Sequence, residues 1–362
     1  MPVVSVRRAA SYDADELYRA ISAHFDALDV AADLTPDTRV LLKPNLLAGR
    51  DPSLAVTTHP AFLYAIAKRL REMGVKHIVL ADSPGGLYTT ASLRKVYHAC
   101  GLDSLVDVLE LNENVDSQDR SGFSIIQPIL DADYIINCPK LKTHGLTVMS
   151  AGVKNLFGCI PGLKKPEQHC LKPSIESFSE MLLNLCETVK PNLTVMDAVD
   201  CMEGNGPGGG KVRQMGYTLC SRSVYAIDEE AVALMALRPN MAPLIRMARQ
   251  KGLSDPAPIQ LIGDDLVPAN PPFLLPDAIT KRERFFSVNG LFHHFFGRKR
   301  TFPAVVTDKC IGCGKCAESC PKSIISIVAH KAVISPKGCI SCFCCQEMCP
   351  AHAIDAVRRR AW

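Results

Sequence analysis

The stretch DYIINCPKLKTHGLTVMSAGVKNLFGCIPG, residues 133–162, joins a buried apolar run to a dense polar segment. Its first part, DYIINCP (133–139), is a brief apolar run closed by proline, which reads as a short buried strand rather than a helix. Lys140, Lys142 and His144 follow at once, and ten residues after the histidine comes Lys154, with Asn155 next to it. A buried strand that hands over to polar and small residues places a site at the carboxyl end of a sheet.

Working outward, the same pattern recurs. TRVLLKPN (38–45), KHIVLADSP (76–84), NLTVMDAV (192–199) and APIQLIG (257–263) are brief apolar runs closed by Pro, Asp or Gly, and each reads as a buried strand. Helical periodicity lies between them. In 14–29, Leu17, Ile21, Phe25 and Leu28 share a face, with Asp13 and Glu16 as a capping pair. In 59–73, Thr58 is the expected cap, Pro60 sits in the first turn and Gly74 supplies the stop. Residues 174–189 repeat the theme with Ile175, Phe178, Leu182, Leu185 and Val189. This alternation predicts an α/β layered domain with a largely parallel sheet over residues 1–263.

From 264 to 301 the pattern breaks into a Pro- and aromatic-rich connector expected to lie against the main domain, with His293 and His294 read as packing or surface residues. Residues 302–362 form a separate module. The net charge of +4 is too mild to argue for nucleic acid, and the basic run GRKR (297–300) reads as a solvated loop. No apolar stretch reaches the ~18 residues a membrane helix needs, and no apolar region follows the N-terminal arginine pair. The expectation is a cytoplasmic protein without nucleic-acid or membrane partners.

Of 16 cysteines, seven are scattered through the first 220 residues, as small buried hydrophobes are, and nine crowd between 310 and 349. Cys310, Cys313, Cys316 and Cys320 precede Pro321, and Cys339, Cys342, Cys345 and Cys349 precede Pro350, with identical spacing 29 residues apart. Three thiolates at two-residue gaps wrap one cube, while the fourth reaches the other. This assigns Cys310, Cys313, Cys316 and Cys349 to one [4Fe–4S] cluster and Cys339, Cys342, Cys345 and Cys320 to a second. Zinc, which takes two separated pairs, gives no reason for the third cysteine or the repeated Cys-Pro. Cys344 is left over and reads as a packed bystander. The module resembles bacterial-type two-cluster ferredoxins, which implies a small α+β fold and a redox partner protein.

The polar ends of the strands carry the candidate site. Lys142, His144 and Lys154 are the candidate catalytic residues, His144 as a proton carrier, Lys43 and Asn45 are candidate cofactor-binding residues, and Lys140, Lys142 and Lys154 with His144 suggest a site for a small anion such as a carboxylate or phosphate. Cys159, His169 and Cys170 are weaker candidates for a metal site with His144. The glycine run 206–210 is not a P-loop, because Asn205 stands where the first glycine belongs and Val212 follows Lys211. It reads as an anion cradle or a tight loop.

KPN (43–45), Thr58-x-Pro60, DSPGG (82–86), LKTH (141–144), VKNLFG (153–158) and Asp197 with EGNGP (203–207) together resemble a prokaryotic family catalogued as a domain of unknown function, often fused to a C-terminal ferredoxin module. His144, Lys154 and Pro161-Gly162 are also similar to a stretch of the nickel-pincer lactate racemase family, where the histidine is a base and the lysine holds the cofactor. Three functions follow as expectations. The first is an oxidoreductase passing electrons between the ferredoxin module and the α/β site. The others are a non-catalytic carrier or assembly factor docking a partner protein, and a pincer-type racemase or isomerase.

Overall fold

The computed structural model describes residues 1–283 and 299–360; His293, His294 and the first half of the 297–300 basic run lie outside them. A ten-stranded mixed sheet, mostly parallel, forms the larger part. Arg39–Pro44 pairs in parallel with His77–Leu80 on one side and with Tyr134–Cys138 on the other. Leu193–Glu203 continues the parallel order beyond Tyr134–Cys138.

Both faces of these strands are covered, so they are apolar throughout rather than alternating. Val40, Leu42, Tyr134 and Ile136 point to one core with Leu17, Ile21 and Phe25 of Ala14–Ala27 and Phe62 and Ile66 of Pro60–Glu72. Leu41 and Ile135 point to the other, against Phe178, Leu182 and Leu185 of Ile175–Val189. Each such side chain stabilises the fold by about 1.5–3 kcal/mol on burial.

The helix over 59–73 begins differently from expectation. His59 is its cap, accepting from the Ala61 N–H, because Thr58 is occupied elsewhere. The Thr58 hydroxyl accepts from Asn45 N and donates to Cys138 O, tying two strand ends together. Two strands also depart from the reading. Gln260–Gly263 is a largely exposed edge strand, with Leu261 43% exposed, rather than a buried one. Lys211–Ser221, whose first half is largely exposed and has no apolar run, pairs antiparallel with Leu193–Glu203 and was not legible as a strand.

From residue 264 the chain returns along the main domain: Ala269 and Phe273 join its third core, and Ala278 packs with Phe343 and Ala356 of the C-terminal module. That module has two antiparallel ribbons, Lys299–Val305 with Ile354–Arg360 and Ile325–Val328 with Lys331–Ile334. The 29-residue repeat is structural. Helical turns Lys315–Glu318 and Cys344–Glu347 both follow a left-handed residue, Gly314 in the first and Phe343 in the second.

Candidate functional site

Along the sheet, the chain runs outward in one direction from Arg39–Pro44 and in the other through Tyr134–Cys138, so the topological switch falls between these two strands. A crevice outside such a switch is where open α/β sheets bind ligands. Here Lys43, Asn45, Lys142, His144 and Lys154 line one cleft of ≈ 730 Å³, together with Ser319, Cys344, Glu347 and Met348 from the C-terminal module.

Most polar groups in the cleft already have partners. Lys43 Nζ is 2.7 Å from Asp82 Oδ1, both side chains almost fully buried, and Asp82 Oδ2 accepts from Leu46 N. Gly158 is required beside them: a Cβ there would fall 1.9 Å from Asp82 Oδ1. Lys142 Nζ donates to Asn45 Oδ1 (2.8 Å) and Val56 O (2.6 Å). Asn45 Nδ2 donates to Asn155 Oδ1 (2.9 Å), and Asn155 Nδ2 to Asn137 Oδ1 (2.8 Å). Lys165 Nζ donates to Ser83 O and Pro84 O. Burial, and then Lys154, brings Lys142 down to about 7, and burial also brings Lys165 down to about 7.

Two donors differ. Lys154 Nζ lies 4.8 Å from the Phe157 ring centre and 6.0 Å from that of Phe178; no hydrogen bond or ion pair to it occurs among the described residues. His144 Nδ1 accepts from Leu146 N (3.1 Å) and Thr147 N (3.2 Å), so the proton of the neutral ring is on Nε2. That Nε2 is buried without a hydrogen bond. Glu347 Oε1 stands 3.1 Å from it, at ion-pair distance. Burial lowers the imidazole further, and it would have to give up both backbone bonds to become an imidazolium. Burial alone would raise the Glu347 carboxyl, but the neighbouring Lys154 ammonium opposes it and favours the ionised form.

The cysteines stand around two further hollows. Cys310, Cys313, Cys316 and Cys349 line one, and Cys320, Cys339, Cys342 and Cys345 line the other. Ala332 N and Ala353 N donate to Cys310 Sγ and Cys349 Sγ, each at 3.3 Å, which favours thiolates. Among the described residues no group of three or more His, Cys, Asp or Glu is placed to hold a single metal ion. Four thiols around a hollow suit a cube, and the donor set fits [4Fe–4S] chemistry.

Residues 40–233 match the family model described as a domain of unknown function, DUF362, and residues 309–353 match a 4Fe–4S dicluster domain. This chain belongs to the DUF362 family. Across 264 residues this DUF362 protein is 33% identical to the thylakoid-associated protein sll1697 of Synechocystis, a match covering 70% of this chain and 81% of that one. Among solved structures it is similar to the lactate racemase apoprotein of Thermoanaerobacterium thermosaccharolyticum, at 12% identity and TM-score 0.40, over 64% of this chain and 56% of that one. It is also similar to a protein of Thermotoga maritima, at 12% identity and TM-score 0.37, over 67% of this chain and 60% of that one. The DUF362 protein is an iron–sulfur protein with a ferredoxin-type module. None of its helices among the described residues is long and apolar enough to cross a membrane.

Other residues singled out in the sequence take different places. Lys140 leaves the cleft and pairs with Asp197 at 3.0 Å, both fully buried, with the Tyr12 hydroxyl bridging them. His169 lines the cleft but stacks on Phe178 with ring centres 4.2 Å apart, Cys159 is in the core, and Cys170 Sγ lies 3.6 Å from Pro321 O. The glycine run is a seam: a Cβ on Gly208 would fall 2.9 Å from Glu347 O, and one on Gly209 3.0 Å from His352 Nδ1. Its glycines let the module approach rather than cradle an anion. Glu347, Met348 and Lys165 were not legible as site residues, since their only local signal was proximity to a cysteine motif or a Pro-Gly turn. Cys344, read as a bystander, lines the cleft.

Proposed function

We propose that this protein is an oxidoreductase in which a small organic anion, bound in the cleft, exchanges electrons with the ferredoxin-type module. One observation carries the reading: residues of the module's second cysteine motif, Cys344, Glu347 and Met348, wall the same cleft as His144 and Lys154. Two [4Fe–4S] clusters, held by Cys310, Cys313, Cys316 and Cys349 and by Cys320, Cys339, Cys342 and Cys345, supply one-electron transfer at low potential.

The chain's own residues set what the ligand must be. The acceptors Asp82, Asn45 Oδ1 and Asn155 Oδ1 are filled by internal donors, whereas among the described residues Lys154 Nζ has no hydrogen-bond or ion-pair partner and His144 Nε2 faces only the Glu347 carboxylate at 3.1 Å. A ligand that accepts at both, such as a carboxylate, satisfies them, and its body meets Phe157 and Met348. His144 then acts as a fixed hydrogen-bond donor that polarises or anchors a ligand oxygen rather than as a base. Glu347 repels a second negative charge on the module side and so orients the anion toward Lys154.

Anaerobic isothermal titration of holoprotein with acetate, a minimal carboxylate, tests the site. Binding that weakens at least tenfold in a His144→Ala, Lys154→Ala pair supports it. Unchanged binding in that pair removes the assignment.

A further inference from the structure

The two four-cysteine sets do not face the same surroundings. Ser319 and Cys344 border the substrate cleft, and each is an immediate chain neighbour of a residue lining the second cavity: Cys320 for the first, Phe343 and Cys345 for the second. The first set meets the cleft wall through Met348 beside Cys349 and through the Ser319 hydroxyl, which donates to Cys316 O at 3.2 Å.

Toward solvent the order reverses. Of the eight cysteines in the two motifs, Cys313 is the exposed one. The wall of its cavity includes Ile311, 66% exposed, and Ile327, with Val328, 57% exposed, next along the strand. An exposed thiolate ligand in an apolar surround is a contact point through which a cluster meets another protein, because electron transfer needs close approach and not extensive burial.

We infer that the cysteine sets form a path with a fixed order. Cys320, Cys339, Cys342 and Cys345 hold the cluster next to the cleft. Cys310, Cys313, Cys316 and Cys349 hold the one that meets an external one-electron carrier protein, docked over Ile311 and Val328. In each encounter the carrier loses one electron as the protein gains one, or the reverse, and two encounters match a two-electron change in a cleft ligand. The order rests on the cleft being the substrate site, whereas the outward port can be measured without any ligand.

The test uses anaerobic holoprotein reduced with dithionite and then oxidised by cytochrome c, a cationic one-electron protein, followed at the haem band. A charge placed at the port steers this encounter. Ile311→Glu is expected to speed oxidation roughly threefold at low salt and Ile311→Lys to slow it by a similar factor, the two converging at high salt. Val328→Glu, a second outward position, should act like Ile311→Glu, with iron content and EPR signals unchanged in each. Lys322→Glu, beside the second cavity, should leave the rate as it was. Equal rates in all the Ile311 and Val328 variants, or acceleration by Lys322→Glu alone, would overturn the order. Because no cleft ligand is present, loss of acetate binding would count against the substrate site and not against the port.

Discussion

His144 Nε2 and Glu347 Oε1 stand 3.1 Å apart, joining the end of the Lys140–His144 strand to the helical turn inside the second cysteine motif. The two residues come from opposite sides of the cleft, so neither part of the chain builds the site alone. The glycines at 208 and 209 allow this approach by leaving no side chain in the seam.

The backbone donors of Leu146 and Thr147 fix the His144 ring, so the neutral ring presents its N–H at Nε2. Replacement by alanine should weaken acetate binding by roughly tenfold or more, the range of a hydrogen bond to a charged group. His144→Gln, which keeps an N–H near the same place, should recover most of the loss. Equal affinity for the alanine and glutamine variants in titration calorimetry would rule out the donor role.

Lys142 and Lys165, both near 7, give the cleft a pH dependence. Their ammonium forms attract an anion, so acetate affinity should fall as pH rises from about 6 to about 8. Stability follows the opposite course. Each folded-state value is depressed below the ordinary lysine value, so the unfolded chain binds more protons between the two, and the ligand-free protein loses stability as pH falls from the ordinary lysine range to about 7. Lys142→Met should flatten both trends; a thermal-unfolding series over pH that is unchanged in this variant would contradict the assignment.

The Lys43–Asp82 pair is sealed from solvent, and breaking it leaves an uncompensated charge. Asp82→Ala should cost about 3–5 kcal/mol, whereas replacing both partners by apolar residues should cost less than the sum of the single changes. Denaturation of the two single variants and the double variant measures the coupling, and strict additivity would show that the pair contributes nothing specific.

Gly208 predicts a mechanical result. Gly208→Val places side-chain atoms where Glu347 O lies 2.9 Å from a Cβ, so the module should separate from the main domain while its iron content stays the same. Limited proteolysis should then cut between residues 264 and 301 faster than in the parent protein. Unaltered cleavage would mean that the seam tolerates bulk.

Much of this architecture was legible because local signals and tertiary demands agree. The strands Arg39–Pro44 and Tyr134–Cys138 are buried on both faces, so their apolar runs stand out, and the sets of four cysteines carry their own spacing. Where tertiary contacts override local ones, the sequence misleads. Thr58 looks like a cap, but its hydroxyl is drawn to Asn45 and Cys138. Lys140 and Lys142 are two positions apart and look alike, yet one meets Asp197 and the other the cleft. Glu347 gave no signal beyond its place in a cysteine motif, since its contact with His144 exists only once the module docks.

If a small anion in this cleft exchanges electrons with the module, reduced clusters should lose electrons to it. The most direct measurement is anaerobic reoxidation of dithionite-reduced holoprotein by a panel of small organic acids, followed by the visible absorbance of the clusters. Reoxidation by one class of acid in the parent protein, abolished in the His144→Ala, Lys154→Ala pair at full iron content, is the predicted result. The same reoxidation in that pair, or none by any acid, would contradict it.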